Sequence, residues 1–214
     1  MAGTIALVGG GPFHANDELD RQLLRAAGAD RVVVLPTADA FETPAELVAA
    51  AISWGERLGV EVDALMVLQR HDADDDAAAD AVRDAPAVYL VGDSSMHLRS
   101  AIKETAVFAA IGEVLAGGGL VVAVGPCAAA VCDPMLDQRG GAFTLGLGLV
   151  RGLAVIPESE RWSEEWRQRT LSLANTPVVE LPTGTAIVGR AEGWELAGSP
   201  PPTVHGELTD VTTR

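Results

Sequence analysis

The sequence predicts a doubly wound α/β domain with a mostly parallel sheet. The chain has 214 residues, of which 48% are hydrophobic and only 4% aromatic. The core must therefore be built mainly from Ala, Val, Leu and Ile packed between regular elements. Short aliphatic runs end in glycine or turn residues and are followed by helical patterns, which is the βαβ alternation of a parallel sheet.

The individual elements follow from local periodicity. Five runs predict parallel strands: TIALVGGG, RVVVLPTA, VEVDALMVL, PAVYLVGD and LVVAVGPC. Four segments with apolar residues at three-to-four spacing predict helices: ELDRQLLRAAG, PAELVAAAISWGERLG, HLRSAIKETAVFAAIGEVLAGGG and ERWSEEWRQRTLSLA. After Thr176, short runs separated by Pro and Gly predict a small antiparallel addition. We expect one domain over 1–214, with the main sheet and helices in 1–175 and the addition in 176–214.

Charge and hydropathy exclude several classes of partner. Thirty acidic residues against 15 basic ones give a formal charge of -15, which repels phosphate backbones and anionic lipid headgroups. No apolar stretch approaches the roughly 20 residues that cross a bilayer. The N-terminal run MAGTIALVGGG is too short and lacks the basic flank of a signal peptide. We expect a cytoplasmic protein with no nucleic-acid or membrane partner.

Two further features bear on metals and redox chemistry. The acidic stretch HDADDDAAADAVRDA could hold a hard cation or begin a solvated helix. It lacks the glycine-containing alternation of a calcium loop, so the helix start is favoured and no cofactor is expected. Cys127 and Cys132 lie five residues apart on one predicted helix, where their side chains diverge, and both are predicted to be free thiols.

Unusual residues after three of the predicted strands are candidates for a site, because functional groups of an open parallel sheet gather beyond the carboxyl ends of its strands. VGGGPFHANDE brings Gly10, Gly11 and His14 to such an end. The glycines could form a phosphate loop or a plain turn. The turn is favoured, because the run lacks G-x-G-x-x-G and the proline removes an amide donor.

The segment YLVGDSSMHLRS ends a second strand with Gly92 and Asp93. A backbone amide near Gly92 could point into the same crevice. Ser94 or Ser95 could cap the following helix, with His97 in its first turn. His97 is interpreted either as a surface residue or as a base recruited to the crevice.

The third segment, LVVAVGPCAAAVCDPM, carries the most chemical information. An apolar strand runs directly into a helix, which predicts a sharp turn at Cys127 with its sulfur beside unpaired N–H groups. Such a setting lowers a thiol pKa, and the amide of Ala128 would bind an oxyanion. The alternative is a buried cysteine that fills space at the start of an Ala-rich helix.

Together these motifs resemble the dipeptidase E and cyanophycinase family of serine peptidases, whose fold is a three-layer, flavodoxin-like sandwich related to class I glutamine amidotransferases. The shared motifs run nearly end to end: GGG at 9–11, LPTA at 35–38, GDSS-M-HLRSAIKET at 92–105, the turn at 125–130, GLGLVRG at 146–152 and LPTGTAIV at 181–188. The resemblance implies hydrolysis of a small peptide or amide, with the backbone amides of Gly92 and Ala128 as the oxyanion hole.

The sequence departs from that family at the catalytic positions. The family turn reads G-T-S-A-G-A with serine as nucleophile, whereas this chain reads G-P-C-A-A-A and has Cys127 there. The family's histidine base aligns with Glu158. None of the four histidines (His14, His71, His97 and His205) matches that position, and neither Asp133 nor Asp137 has the spacing of the catalytic acid.

Three functions therefore stay open from the sequence. The chain could be a diverged hydrolase that uses Cys127 with His14 or His97 as base. It could instead be a non-catalytic binding protein on the same fold, or a reactive-thiol protein that uses Cys127. The missing base favours impaired or lost peptidase activity. A homodimer is one assembly that the sequence allows. Trp162 and Trp166 form either a partner-binding stripe or, the favoured interpretation, a packing pair that lies with Leu173 on the sheet.

Overall fold

The computed structural model describes residues 2–213. The helices in that range are α1 (Asp17–Ala27), α2 (Pro44–Leu58), α3 (Arg70–Ala73), α4 (Asp76–Arg83), α5 (Ser95–Ile102), α6 (Ala106–Ala116), α7 (Pro126–Val131) and α8 (Glu164–Leu173), with short 3-10 turns at Thr37–Asp39 and Ser159–Arg161. The strands are β1 (Thr4–Val8), β2 (Arg31–Leu35), β3 (Glu61–Ala64), β4 (Ala87–Leu90), β5 (Leu120–Val124), β6 (Cys132–Asp133), β7 (Met135–Asp137), β8 (Ala142–Thr144), β9 (Val150–Arg151), β10 (Ala154–Pro157), β11 (Val178–Leu181), β12 (Ala186–Arg190), β13 (Gly193–Ala197), β14 (Thr203–His205) and β15 (Thr212–Thr213).

A seven-stranded sheet forms the centre, in the order β13-β12-β1-β5-β4-β2-β3. Strands β1, β5, β4, β2 and β3 pair in parallel. Strand β12 pairs antiparallel with β1, and β13 pairs antiparallel with β12. The predicted α/β fold with a mostly parallel sheet is therefore confirmed. Part of the expected C-terminal antiparallel addition extends this central sheet.

Alternate residues of each central strand enter two separate cores. In β1, Ile5 and Leu7 face one hydrophobic cluster, while Ala6 and Val8 face the other. Both faces of a parallel sheet are covered by helices, so its strands read as continuous apolar runs. This explains why TIALV and LVVAV have no polar alternation, and it gives the three layers of the fold.

Smaller sheets lie beside one face. One has the order β10-β11-β14, another β15-β9-β6, and β7 pairs with β8. The first of these positions the chain after β10, because the N–H of Glu158 donates to the carbonyl oxygen of Gly9 at 2.9 Å. A loop far along the sequence thereby reaches the glycine turn after β1.

The helices after β4 differ from the prediction of one long helix. The chain breaks between α5 and α6, where Glu104 has φ 60°. Thr105 caps α6, its hydroxyl accepting from the N–H of Phe108 at 3.3 Å. No helix within residues 2–213 combines the length and hydropathy that a bilayer-spanning segment requires.

Candidate functional site

The loops after the parallel strands form a cleft at one edge of the central sheet. Gly10 follows β1, Gly92 follows β4 and Gly125 follows β5, while Asp39 ends the 3-10 turn after β2. Strands β1, β5, β4 and β2 are consecutive neighbours. The candidate residues at these strand ends therefore meet in the crevice where open α/β sheets bind ligands.

The turn between β5 and α7 is centred on Gly125. This residue has φ 60° and ψ -129°, and the helix begins immediately after it at Pro126. The N–H of Gly125 donates to the carbonyl oxygen of Val8 at 2.9 Å. Among the described residues other than its two chain neighbours, a Cβ added to Gly125 would have only the Cα of Gly10 within 4 Å, at 3.8 Å. The side-chain direction at the turn thus faces open space.

Cys127 lies one step beyond the turn, as the second residue of α7. It is fully buried, and its Sγ lies 3.6 Å from the carbonyl oxygen of Gly92 as a hydrogen-bond donor. Burial, with smaller contributions from the negative charges of Asp93 and Asp39, raises the thiol pKa well above its ordinary value. The prediction of a lowered pKa is wrong, because the sulfur points into the core and contacts an acceptor rather than unpaired amides.

The second cysteine is also buried, and both are free thiols, as predicted. Cys132 lies outside the helix, because α7 ends at Val131 and Cys132 begins β6. The expectation that one helix carries both cysteines is therefore wrong. The Sγ of Cys132 donates to the carbonyl oxygen of Ala128 at 3.3 Å.

The amide proposed for an oxyanion hole is already engaged. The N–H of Ala128 donates to the carbonyl oxygen of Gly125 at 2.9 Å, and Ala128 is fully buried. The residue directly after the turn, Pro126, has no N–H at all. At the end of the neighbouring strand β4, the carbonyl oxygen of Gly92 accepts from the thiol of Cys127.

Glu158 reaches the cleft from the end of β10. It has a left-handed φ of 48°, and its side chain lies over Gly10, where an added Cβ would be 2.6 Å from the Glu158 Cγ. Both of its carboxylate oxygens accept from Nη1 of Arg161, at 3.0 and 3.1 Å. The position aligned with the family's histidine thus carries a carboxylate in an ion pair.

The two histidines considered as bases make other contacts. Nδ1 of His14 lies 2.8 Å from the carbonyl oxygen of Pro12, and its ring is exposed near Gly11. Nε2 of His97 lies 2.7 Å from the carbonyl oxygen of Leu68, and the ring packs edge-on against Phe41 at 4.6 Å. The hydrogen bonds described over residues 2–213 include none between an imidazole and Cys127.

A cavity of about 370 Å³ occupies the cleft. It is lined by Asp93, Pro126, Gln138, Glu158, Arg161 and Trp162. Sequence reasoning did not assign Gln138 or Arg161 to the site. Arg161 lies three residues after Glu158, a spacing that could have indicated the ion pair. Gln138 comes from the turn between β7 and β8 and carries no sequence signal of its own.

Trp162 and Trp166 pack on each other, with ring centroids 4.2 Å apart and planes at 17°. Both contact the main hydrophobic cluster, as the packing interpretation predicts. Leu173 does not join them, since it is 49% exposed. The Nε1–H of Trp162 donates to the carbonyl oxygen of Pro157 at 3.2 Å, which fixes its ring at the cavity wall.

The fold and the cleft define a doubly wound α/β protein with a strand-to-helix turn at the base of its cavity. The chain belongs to peptidase family S51, whose family model matches residues 5–196. This confirms the predicted relationship to dipeptidase E-like peptidases. No curated protein is significantly similar to the chain in sequence.

Two solved structures share the fold. One is a peptidase from an acI-B1 Actinobacterium, with a TM-score of 0.82 and 22% identity over 100% of this chain and 98% of that one. The other is a putative peptidase E protein from Listeria monocytogenes EGD-e, with a TM-score of 0.71 and 18% identity over 92% of this chain and 98% of that one. At these identities the likeness extends to the fold alone.

Proposed function

We propose that this member of a peptidase family binds a small peptide or amide-like ligand in the cleft without hydrolysing it. The observation that carries the proposal is the identity of the residue at the turn. In a nucleophile elbow, the nucleophile itself occupies the strained position between strand and helix, and the N–H of the following residue contributes to the oxyanion hole. Here those two positions are Gly125 and Pro126.

Neither residue can supply the chemistry of its position. Gly125 has no side chain, and Pro126 has no N–H to donate. This geometry supports an alignment in which Gly125, rather than Cys127, stands opposite the family's serine. Cys127 then corresponds to the glycine two residues after that serine. Its burial against Gly92 agrees with a packing role at the start of the helix.

The base position supports the same conclusion. A carboxylate can act as a general base when it reaches the proton that it removes. Both oxygens of Glu158 are instead held by Arg161, and the hydrogen bonds described over residues 2–213 include none between Glu158 and Cys127.

The properties of Cys127 also count against the reactive-thiol alternative. Reactive cysteines are partly exposed and have a lowered pKa, because the thiolate is the reactive species. The thiol of Cys127 is fully buried, and its pKa is raised. The cleft itself is retained, and its volume of about 370 Å³ is enough for a small ligand.

The proposal is tested by acylation with p-nitrophenyl acetate. Wild-type protein and the Cys127→Ala variant are incubated with the ester, digested and mapped by mass spectrometry, with Cys132→Ala as the matched control for an equally buried thiol. We expect no acetyl group on Cys127 and equal ester hydrolysis by all three proteins. Acetylation of Cys127, together with loss of hydrolysis in Cys127→Ala alone, would overturn the proposal.

A further inference from the structure

The charges that face the cleft do not balance. Asp93 is exposed and lines the cavity. None of the ion pairs described over residues 2–213 includes its carboxylate. Asp93 therefore presents a negative charge to the cavity without a cationic partner among those residues.

Among the described residues, Arg161 is the one cation that lines the cavity, and it does not compensate for Asp93. Nη1 of Arg161 is shared between the two carboxylate oxygens of Glu158. With that pair neutral overall, the cavity lining keeps the net charge of Asp93. Asp39 is only 7% exposed and lies close enough for the charge of Asp93 to help raise its pKa, second to its own burial.

An aromatic wall stands beside this charge. The indole of Trp162 lines the same cavity as Asp93. Its N–H donates to the carbonyl oxygen of Pro157, and its ring is stacked on Trp166, so the ring has a fixed orientation. Indole rings attract cations through their electron-rich faces and also offer apolar contact area. A carboxylate and an indole in one cavity both favour a ligand that combines a positive charge with an apolar surface.

We propose that the ligand of this cleft is an organic cation, with a primary ammonium that pairs with Asp93 and an apolar body that contacts Trp162. The assignment depends on the cleft being a binding site, as proposed above, and adds the charge of the ligand. An anionic ligand would meet the charge of Asp93 directly, and the cation that lines the cavity, Arg161, is already paired with Glu158. The overall charge of -15 favours approach of a cation further.

The test compares three probes that share a phenyl ring and an amide group: phenylalaninamide, 3-phenylpropanamide and N-succinylphenylalaninamide. At about pH 6 the first is cationic, because an α-amino group titrates near 7.7; the second is neutral and the third anionic. Dissociation constants are measured by ligand-observed NMR for wild type, for Asp93→Asn and for Asp76→Asn. Asp76 is an exposed carboxylate on α4 that does not line the cavity, and its variant serves as control.

We expect the ammonium probe to bind at least about tenfold more tightly than the neutral one, because a hydrogen bond between charged groups generally strengthens binding by at least about this factor. Asp93→Asn should remove that preference, and Asp76→Asn should retain it. Equal or tighter binding of the neutral or anionic probe overturns the inference, as does the absence of binding by all three. Release of ammonia from the amides in the same spectra would instead overturn the proposed lack of hydrolysis, so the two failures are distinguishable.

Discussion

A buried carboxylate on the face of the sheet that carries α1 and α2 should make stability depend on pH. Asp20 of α1 is 2% exposed. Its Oδ1 accepts from the hydroxyl of Tyr89, and its Oδ2 accepts from Nε1 of Trp54, each at 3.0 Å. Burial raises its pKa from 3.8 to about 7, against the opposing effect of the two hydrogen bonds.

The sign and size of the effect follow from proton linkage. Between pH 3.8 and about 7 the unfolded chain ionises at this residue while the folded protein keeps the proton. Each such pH unit costs about 1.4 kcal/mol of stability, so the full interval costs about 4 kcal/mol. The contribution of Asp20 is fully present below its unfolded pKa and is lost as the pH rises through its folded pKa.

The assay is urea unfolding of wild type and Asp20→Asn across that interval, with Asp30→Asn as an exposed control. Asparagine is a suitable neutral replacement, because its oxygen can accept from Trp54 while its NH₂ donates to the hydroxyl of Tyr89, which can also accept. Relative to Asp20→Asn, wild type should lose about 4 kcal/mol of unfolding free energy between pH 4 and pH 8. A difference between the two proteins that stays constant with pH would show that the pKa of Asp20 is not raised by folding.

Three other substitutions test the geometry of the cleft and of one helix start by chemical denaturation. Gly10→Ala should lower stability by about 1–3 kcal/mol, because its Cβ would lie 2.6 Å from the Glu158 Cγ. Adding Glu158→Ala should restore most of this loss. If the double variant is not restored, the contact with Glu158 is not the cause. Gly125→Ala should cost about 1–3 kcal/mol through its φ of 60° although the space around it is open; a neutral effect would mean that the turn is not strained. Asp75→Ala should lower the free energy of unfolding by about 1 kcal/mol, because the carboxylate of Asp75 accepts from the N–H of Ala78 and caps α4. An equal loss in Asp74→Ala, which removes no side-chain cap of α4, would show that the cap is not the cause.

The sequence predicted the fold well because the relevant signals are local. The central parallel strands are apolar runs that end in turn residues, and such runs are typical of strands buried on both faces. The positions of β12 and β13 were not predictable, since their pairing with β1 depends on contacts across most of the chain. The break between α5 and α6 also escaped prediction, because the apolar spacing continues across Glu104.

The position of the cleft, but not its detail, could be predicted from the sequence. The sequence predicted that Gly10, Gly92 and the β5–α7 turn lie beyond the carboxyl ends of parallel strands, and the structure has all three at one edge of the central sheet. It did not determine which residue occupies the turn, because G-P-C-A-A-A can be aligned with the family motif in more than one register. That question is decided by the backbone dihedral angles of Gly125, and the raised pKa of Cys127 follows mainly from its burial. Neither property can be predicted from a local sequence pattern.

We propose that Cys127 is a buried packing residue and not a nucleophile. This is tested by the rate at which iodoacetamide alkylates each cysteine in the folded protein, followed by peptide mapping over a range of pH. We predict that Cys127 and Cys132 react equally slowly when folded and that both react rapidly once the protein is denatured. Selective, rapid alkylation of Cys127 in the folded protein, already complete below the pH at which an ordinary thiol ionises, would show instead that Cys127 is a reactive nucleophile.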